Sequence, residues 1–116
     1  MLTDADFSGA DCTMAVFAGA DCTAAVFSAA RLDRSNWVRA RCLRAVFDRS
    51  SLAWADLSHA DLADARFVGA DLEGANLHAI TESGTNWSGA SLKKVRRTDK
   101  ALLKAESWTR PPRRPG

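Results

Sequence analysis

Large apolar residues recur along this chain at a fixed step of five. The slots hold Phe7, Cys12, Phe17, Cys22, Phe27, Leu32, Trp37, Cys42, Phe47, Leu52, Leu57, Leu62, Phe67, Leu72, Leu77, Glu82, Trp87 and Leu92, so that eighteen consecutive positions contain one polar occupant, Glu82. Two residues before each stands a small residue: Ala in fourteen cases, and Ser35, Ser50, Ile80 or Thr85 in the others. The frame is most regular from Ala55 to Leu77, with a polar residue, mostly Asp or Asn, between the small and the large one. Neither a helix, with its period of 3.6, nor a single strand, with its period of two, repeats every five residues. A chain that turns a corner every five residues does. Residues two apart in an extended segment face the same side, so the small and the large residue both point inward.

A repeat of this regularity is the signature of a solenoid. The unit Ala-(Asp/Asn)-Leu-x-x resembles the motif of the pentapeptide-repeat family, and the resemblance covers about four-fifths of the chain, Ala5 to Leu92. It implies an all-β fold, a right-handed quadrilateral β-helix with four repeats, or 20 residues, in each coil. Sorting the large slots at a period of 20 supports that length independently. One column reads Phe7, Phe27, Phe47, Phe67, Trp87 and the next Cys12, Leu32, Leu52, Leu72, Leu92. The others are Phe17, Trp37, Leu57, Leu77 and Cys22, Cys42, Leu62, Glu82. An all-aromatic column is what coils stacked one strand spacing apart, about 4.8 Å, produce. The expectation is about four and a half coils over residues 4–92, a basic linker and capping helix over 93–108, and an extended Pro/Arg-rich tail over 109–116. Glu82 in an interior slot predicts a local bulge that lets it reach solvent, since a buried carboxylate is costly.

Composition sharpens this picture in two places. The net charge of +2 over 116 residues hides a division. Residues 1–92 carry seven basic against twelve acidic side chains, whereas residues 93–116 carry nine against two. Inside the mildly acidic rod lies a belt of six arginines, Arg31, Arg34, Arg39, Arg41, Arg44 and Arg49. The second place is the cysteines. Cys12, Cys22 and Cys42 all occupy interior slots and read as small buried hydrophobes. No Cys-x-x-Cys is present, and His59 and His78 are expected to project outward, so neither a metal nor a cofactor is expected. No apolar run reaches membrane-spanning length and no signal peptide is visible at Met1, which reads as a cytoplasmic chain.

Outward positions supply the candidate sites. Val26, Val46 and Val68 are expected to form an apolar strip on the face of the Phe column. Arg34 is expected over Trp54 as a cation–π pair. Arg41 is placed between Asp21 and Asp61, and Arg44 beside Asp64, as cross-strand charge ladders; Arg39 and Arg49 complete the belt. After Leu92, Thr98 reads as an N-cap, and Leu102, Leu103 and Trp108 as the apolar side of a helix laid over the last coil. The first coil has nothing before it to cover its strand edge. A missing N-terminal domain, another protein, or end-to-end contact in a homodimer would cover it.

No nucleophile elbow, phosphate-cradling loop or metalloprotease motif is present. Aspartates such as Asp56, Asp61 and Asp71 are explained by the polar slot of the repeat. The chain therefore reads as a non-catalytic protein-interaction scaffold or adaptor rather than an enzyme. The late pattern Ala-Asn-Leu-His-Ala, Gly-Thr-Asn-Trp-Ser-Gly-Ala and Arg-Arg-Thr-Asp resembles the C-terminal part of bacterial type VI secretion accessory proteins. The alternative, also drawn from the family resemblance, is a DNA-mimicking inhibitor of a type II topoisomerase such as gyrase. The arginine belt interrupts the acidic surface that such mimicry needs. Direct nucleic-acid binding by the basic tail is the weakest of the readings.

Overall fold

A computed structural model describes residues 1–107. Its backbone is a stack of parallel coils. Among the described residues there are fifteen parallel bridges, from Asp6↔Val26 to Asn76↔Arg96, and every one joins residues 20 apart. The period read from the columns is thus the coil length. The frame also extends past its predicted limits. Leu2 already donates to the carbonyl of Asp21, and the Arg96 carbonyl still accepts from Leu77.

The repeats from Leu2 to Leu72, and those at Glu82, Trp87 and Leu92, make their corners in the same way. The N–H of the small residue donates to the carbonyl of the preceding large residue, as Ala10 does to Phe7 at 3.0 Å. The residue just before that small one has positive φ at every corner from Asp4 to Lys94, six glycines and thirteen others. Positive φ at this third position of the turn marks the type II sense. A non-glycine residue there costs on the order of 1 kcal/mol, so the corners are held by what surrounds them. The coil-to-coil ladder is that support. Phe27, for example, donates to Val46, Val46 donates to Ala25, and the corner N–H of Ala29 donates to Asp48.

The polar slot has its own physical reason. An Asp or Asn there turns its side chain back to accept the N–H two residues on. Asp6 takes Ser8, Asp11 Thr13, Asp21 Thr23, Asn36 Val38, Asp56 Ser58, Asp61 Ala63, Asp71 Glu73, Asn76 His78 and Asn86 Ser88. These are Asx turns, which satisfy an N–H that the coil ladder leaves free. Where the slot holds Ser51 or Arg66, a carboxylate from the preceding coil does the same work. Asp33 accepts from Ala53 and from the Ser51 hydroxyl, and Asp48 accepts from Val68.

The core is a narrow column to which each central coil contributes four large side chains. Phe27, Leu32, Trp37, Cys42, Phe47, Leu52, Leu57, Leu62, Phe67 and Leu72 are all fully buried, with alanines lining the corners. The aromatic column stacks as predicted: Phe7, Phe27, Phe47, Phe67 and Trp87 follow one another at centroid spacings of 5.0, 5.2, 4.7 and 4.6 Å. Trp37 packs edge-on to Phe27 and Phe47 from the adjoining column. Its buried indole N–H needs an acceptor, and Ser35 two residues earlier supplies one at 2.7 Å. That bond accounts for a serine in a slot that is otherwise mostly alanine. Cys22 and Cys42 are free thiols buried in adjacent coils. The neighbouring Cys22 thiol, backed by burial, pushes the Cys42 thiol far up, so it behaves as a hydrophobe.

Three expectations change at the C-terminal end. Glu82 is exposed, but not through a bulge: the Asp61↔Thr81 bridge and the Leu62-to-Thr81 hydrogen bond keep register around it. It reaches solvent because its slot lies in the last coil, with no further coil above it, and it pairs with Arg97 at 3.5 Å. The helix, α1 (Lys100–Glu106), is capped by Asp99, whose carboxylate accepts from Leu102; Thr98 instead accepts from the Ala79 N–H. No residue of α1 is buried, and Leu102 and Leu103 remain 47% and 39% exposed. The helix therefore does not seal the last coil with those leucines. The expectations for Trp108 and the 109–116 tail lie outside the described residues.

Candidate interaction surface and histidine cluster

Corner residues point away from the rod, and in one coil all four successive corners are arginine. Arg34, Arg39, Arg44 and Arg49 have φ of 59, 60, 57 and 56°. With Arg31 and Arg41 in polar slots they form an exposed girdle. None of the six takes part in an ion pair among the described residues, contrary to the expected charge ladders. The register is as predicted, since Asp21 and Asp61 both bridge Arg41. Their carboxylates, however, are engaged by the Asx turns to Thr23 and Ala63. Asp64 leans over the last coil, where a Cβ on Gly84 would lie 2.2 Å from its Oδ1. The coil-to-coil ion pairs that do form among the described residues are Arg66–Asp48, at 3.1 Å, and Lys94–Glu73, at 4.0 Å, and the repeat pattern gave no signal for them.

Trp54 shares a corner column with Arg34 but turns the other way. A Cβ on Gly74 would meet its ring at 2.4 Å, so the indole lies on Gly74, and no cation–π pair is present among the described residues. The glycine opens space on that side and the ring fills it, which leaves Arg34 unpaired and Trp54 52% exposed. The valine strip is also shorter than expected. Val26 bridges Val46, but the next member of that column is Arg66. Val68 belongs to the neighbouring slot, where its N–H meets Asp48.

The structure brings together three residues that the repeat pattern leaves apart. His59 Nε2 lies 3.0 Å and His78 Nε2 2.7 Å from the two oxygens of Glu106. Both histidines do project outward from the rod, yet His78 is only 4% exposed. Its Nδ1 accepts the Asp99 N–H at 3.0 Å, which places its proton on Nε2, facing the carboxylate. Hydrogen bonds from His78 first and His59 second hold the Glu106 carboxyl below its ordinary range. The repeat period could have signalled only that His59 and His78 lie one slot short of a full coil apart. Nothing in the sequence placed Glu106 there.

The coil geometry defines the protein as a parallel β-solenoid repeat protein whose variation lies in its outward slots. The sequence profile for pentapeptide repeats matches residues 2–36, 25–62 and 50–79, and the chain belongs to that family. Its fold is accordingly that family's right-handed quadrilateral β-helix. Among solved structures, a pentapeptide repeat protein from the Arabidopsis thaliana thylakoid lumen superposes with a TM-score of 0.82 at 27% identity, over 89% of this chain and 72% of that one. HetL, a pentapeptide repeat protein involved in heterocyst differentiation regulation from the cyanobacterium Nostoc sp. strain PCC 7120, superposes with a TM-score of 0.78 at 32% identity. That match covers 81% of this chain and 45% of HetL, so this chain spans under half the length of that relative. No functionally curated protein matches the sequence. No helix among the described residues is long and apolar enough to cross a membrane.

Proposed function

We propose that this chain is a non-catalytic protein-interaction module, a rigid rod that presents its arginine girdle and Trp54 to an acidic protein surface. The observation that carries this reading is the girdle itself: six exposed arginines within residues 31–49, none in an ion pair among the described residues. Exposed Arg and Trp are the side chains most often found at interaction hot spots. The ladder holds their backbones fixed, which reduces the ordering cost of binding. The girdle also weighs against mimicry of duplex DNA, because it puts positive charge where a mimic carries negative. The likeness of the late repeats to type VI secretion accessory proteins makes a component of such a system one concrete partner, met in the cytoplasm.

The test compares capture from the source lysate by the intact chain, by a version ending at Leu92, and by a variant with Arg34, Arg39, Arg44 and Arg49 changed to Glu. Circular dichroism establishes that each is folded. A stoichiometric acidic partner that the intact and shortened chains retain and the charge-reversed variant loses supports the reading. A partner held equally well by the charge-reversed variant overturns it.

A further inference from the structure

The only two histidines of the chain meet at one point on the rod. Their rings lie 5.2 Å apart, nearly perpendicular at 84°. One donor atom from each, together with a Glu106 oxygen, falls within 4.8 Å of the others. We propose that His59 Nε2, His78 Nε2 and the Glu106 carboxylate form a binding site for a divalent transition cation of the zinc class, which staples α1 to the side of the solenoid.

Three features carry this. The donor set of two imidazoles and one carboxylate suits zinc and its neighbours rather than magnesium or calcium, which take oxygen ligands. Ligands at the usual 2.0–2.1 Å in a tetrahedral site stand roughly 3.3 Å from one another. The two His–Glu separations, 3.0 and 2.7 Å and one to each carboxylate oxygen, lie about half an ångström from that value, and all three donor atoms fall within 4.8 Å of one another. The third feature is α1 itself, which has seven residues and buries none of them. A helix so short is marginal alone, and Glu106 is its one side-chain anchor to the coils among the described residues.

One contact makes the proposal specific. Without metal, the Asp99 N–H donates to His78 Nδ1 and the proton sits on Nε2. A metal on Nε2 requires that nitrogen to release its proton to solvent. Nδ1 then takes a proton from solvent and can no longer accept from Asp99. Metal binding and the Asp99–His78 hydrogen bond are therefore exclusive. Loading must free the Asp99 amide while it tightens the far end of α1.

The experiment titrates the full chain, stripped with a chelator, with Zn²⁺ alone in a calorimeter and follows amide exchange in the free and loaded forms. The expected result is one equivalent bound at micromolar concentration, weakened more than tenfold by His59→Ala and by Glu106→Gln but not by Cys12→Ser. The Asp99 amide should exchange faster in the loaded form. His59→Ala is safe for the fold, because Ala24, Ala29 and Ala79 occupy corners with the same positive φ. Absence of saturable binding overturns the proposal. So does binding that both substitutions leave unchanged, or an Asp99 amide whose exchange is unaltered by zinc.

Discussion

The Ser35–Trp37 pair offers the sharpest test of how this thin core tolerates a polar atom. Ser35 is 1% exposed and Trp37 fully buried. The indole donates to Ser35 Oγ at 2.7 Å, and that hydroxyl in turn donates to the Leu32 carbonyl at 2.5 Å. Replacing Ser35 by Ala keeps the turn, because the residue-35 N–H still donates to Leu32 as it does now at 3.1 Å. Alanine also fills this slot in fourteen other repeats, so no strain is introduced. The cost falls on the orphaned indole N–H, about 1–3 kcal/mol for a buried donor left without a partner. Ser50→Ala is the control, since Ser50 Oγ donates only to the Phe47 carbonyl, at 2.7 Å, and serves no indole. Its expected cost is about 0.5 kcal/mol. Adding Trp37→Phe to Ser35→Ala removes the orphaned donor, so the double mutant should be less destabilised than the two single changes summed, by about 1 kcal/mol or more. The assay is guanidinium unfolding followed by far-UV circular dichroism and by fluorescence together. Two probes are needed because a solenoid can unfold repeat by repeat rather than as one unit. Each kcal/mol should also lower Tm by roughly 4 °C. Equal costs for Ser35→Ala and Ser50→Ala, or strict additivity in the double mutant, would refute the reasoning.

Gly74→Ala is expected to cost about 1–2 kcal/mol, part from its φ of +70° and part from displacing the Trp54 ring, which a Cβ would meet at 2.4 Å. Trp54→Ala in the same chain should recover only the second part, and a change in Trp fluorescence should accompany Gly74→Ala alone; a Gly74→Ala variant as stable as the parent contradicts this. Acid stability should follow the Asx turns. The side-chain hydroxyl and backbone N–H of Ser8, Thr13 and Thr23 hold Asp6, Asp11 and Asp21 below their ordinary value of 3.8. Groups whose pKa is lowered by folding stabilise the native state above that value, and the contribution is lost as pH falls through their lower folded pKa. The loss of stability below pH 3.8 should become shallower when the three are changed to Asn, which makes the same turn at Asn36, Asn76 and Asn86. An unchanged acid limb in urea unfolding runs against it.

The repeat by itself determined the architecture. Every interior slot from Phe7 to Leu77 could be placed from the sequence because a five-residue step has one way to bury a large residue two positions after a small one. The 20-residue column sorting then stacked the aromatic residues as they are found. Even the isolated serine at position 35 carried information, since it precedes the buried Trp37 by the two residues that its hydroxyl spans.

The outward slots behaved differently, and the reason is physical. Register tells which residues are neighbours, but a long exposed side chain chooses among several partners of similar energy. Arg41 stands between Asp21 and Asp61 as the register requires, yet both carboxylates prefer a backbone N–H two residues away, which costs less entropy to engage. Trp54 chose the gap over Gly74 rather than the cation of Arg34. The position of α1 lay furthest from the sequence. Its leucines suggested a cap, but the helix is held by Glu106, which reaches two histidines 47 and 28 residues earlier. Contacts at that separation follow no period. Only the folded rod, with both corners already in place, decides that they meet.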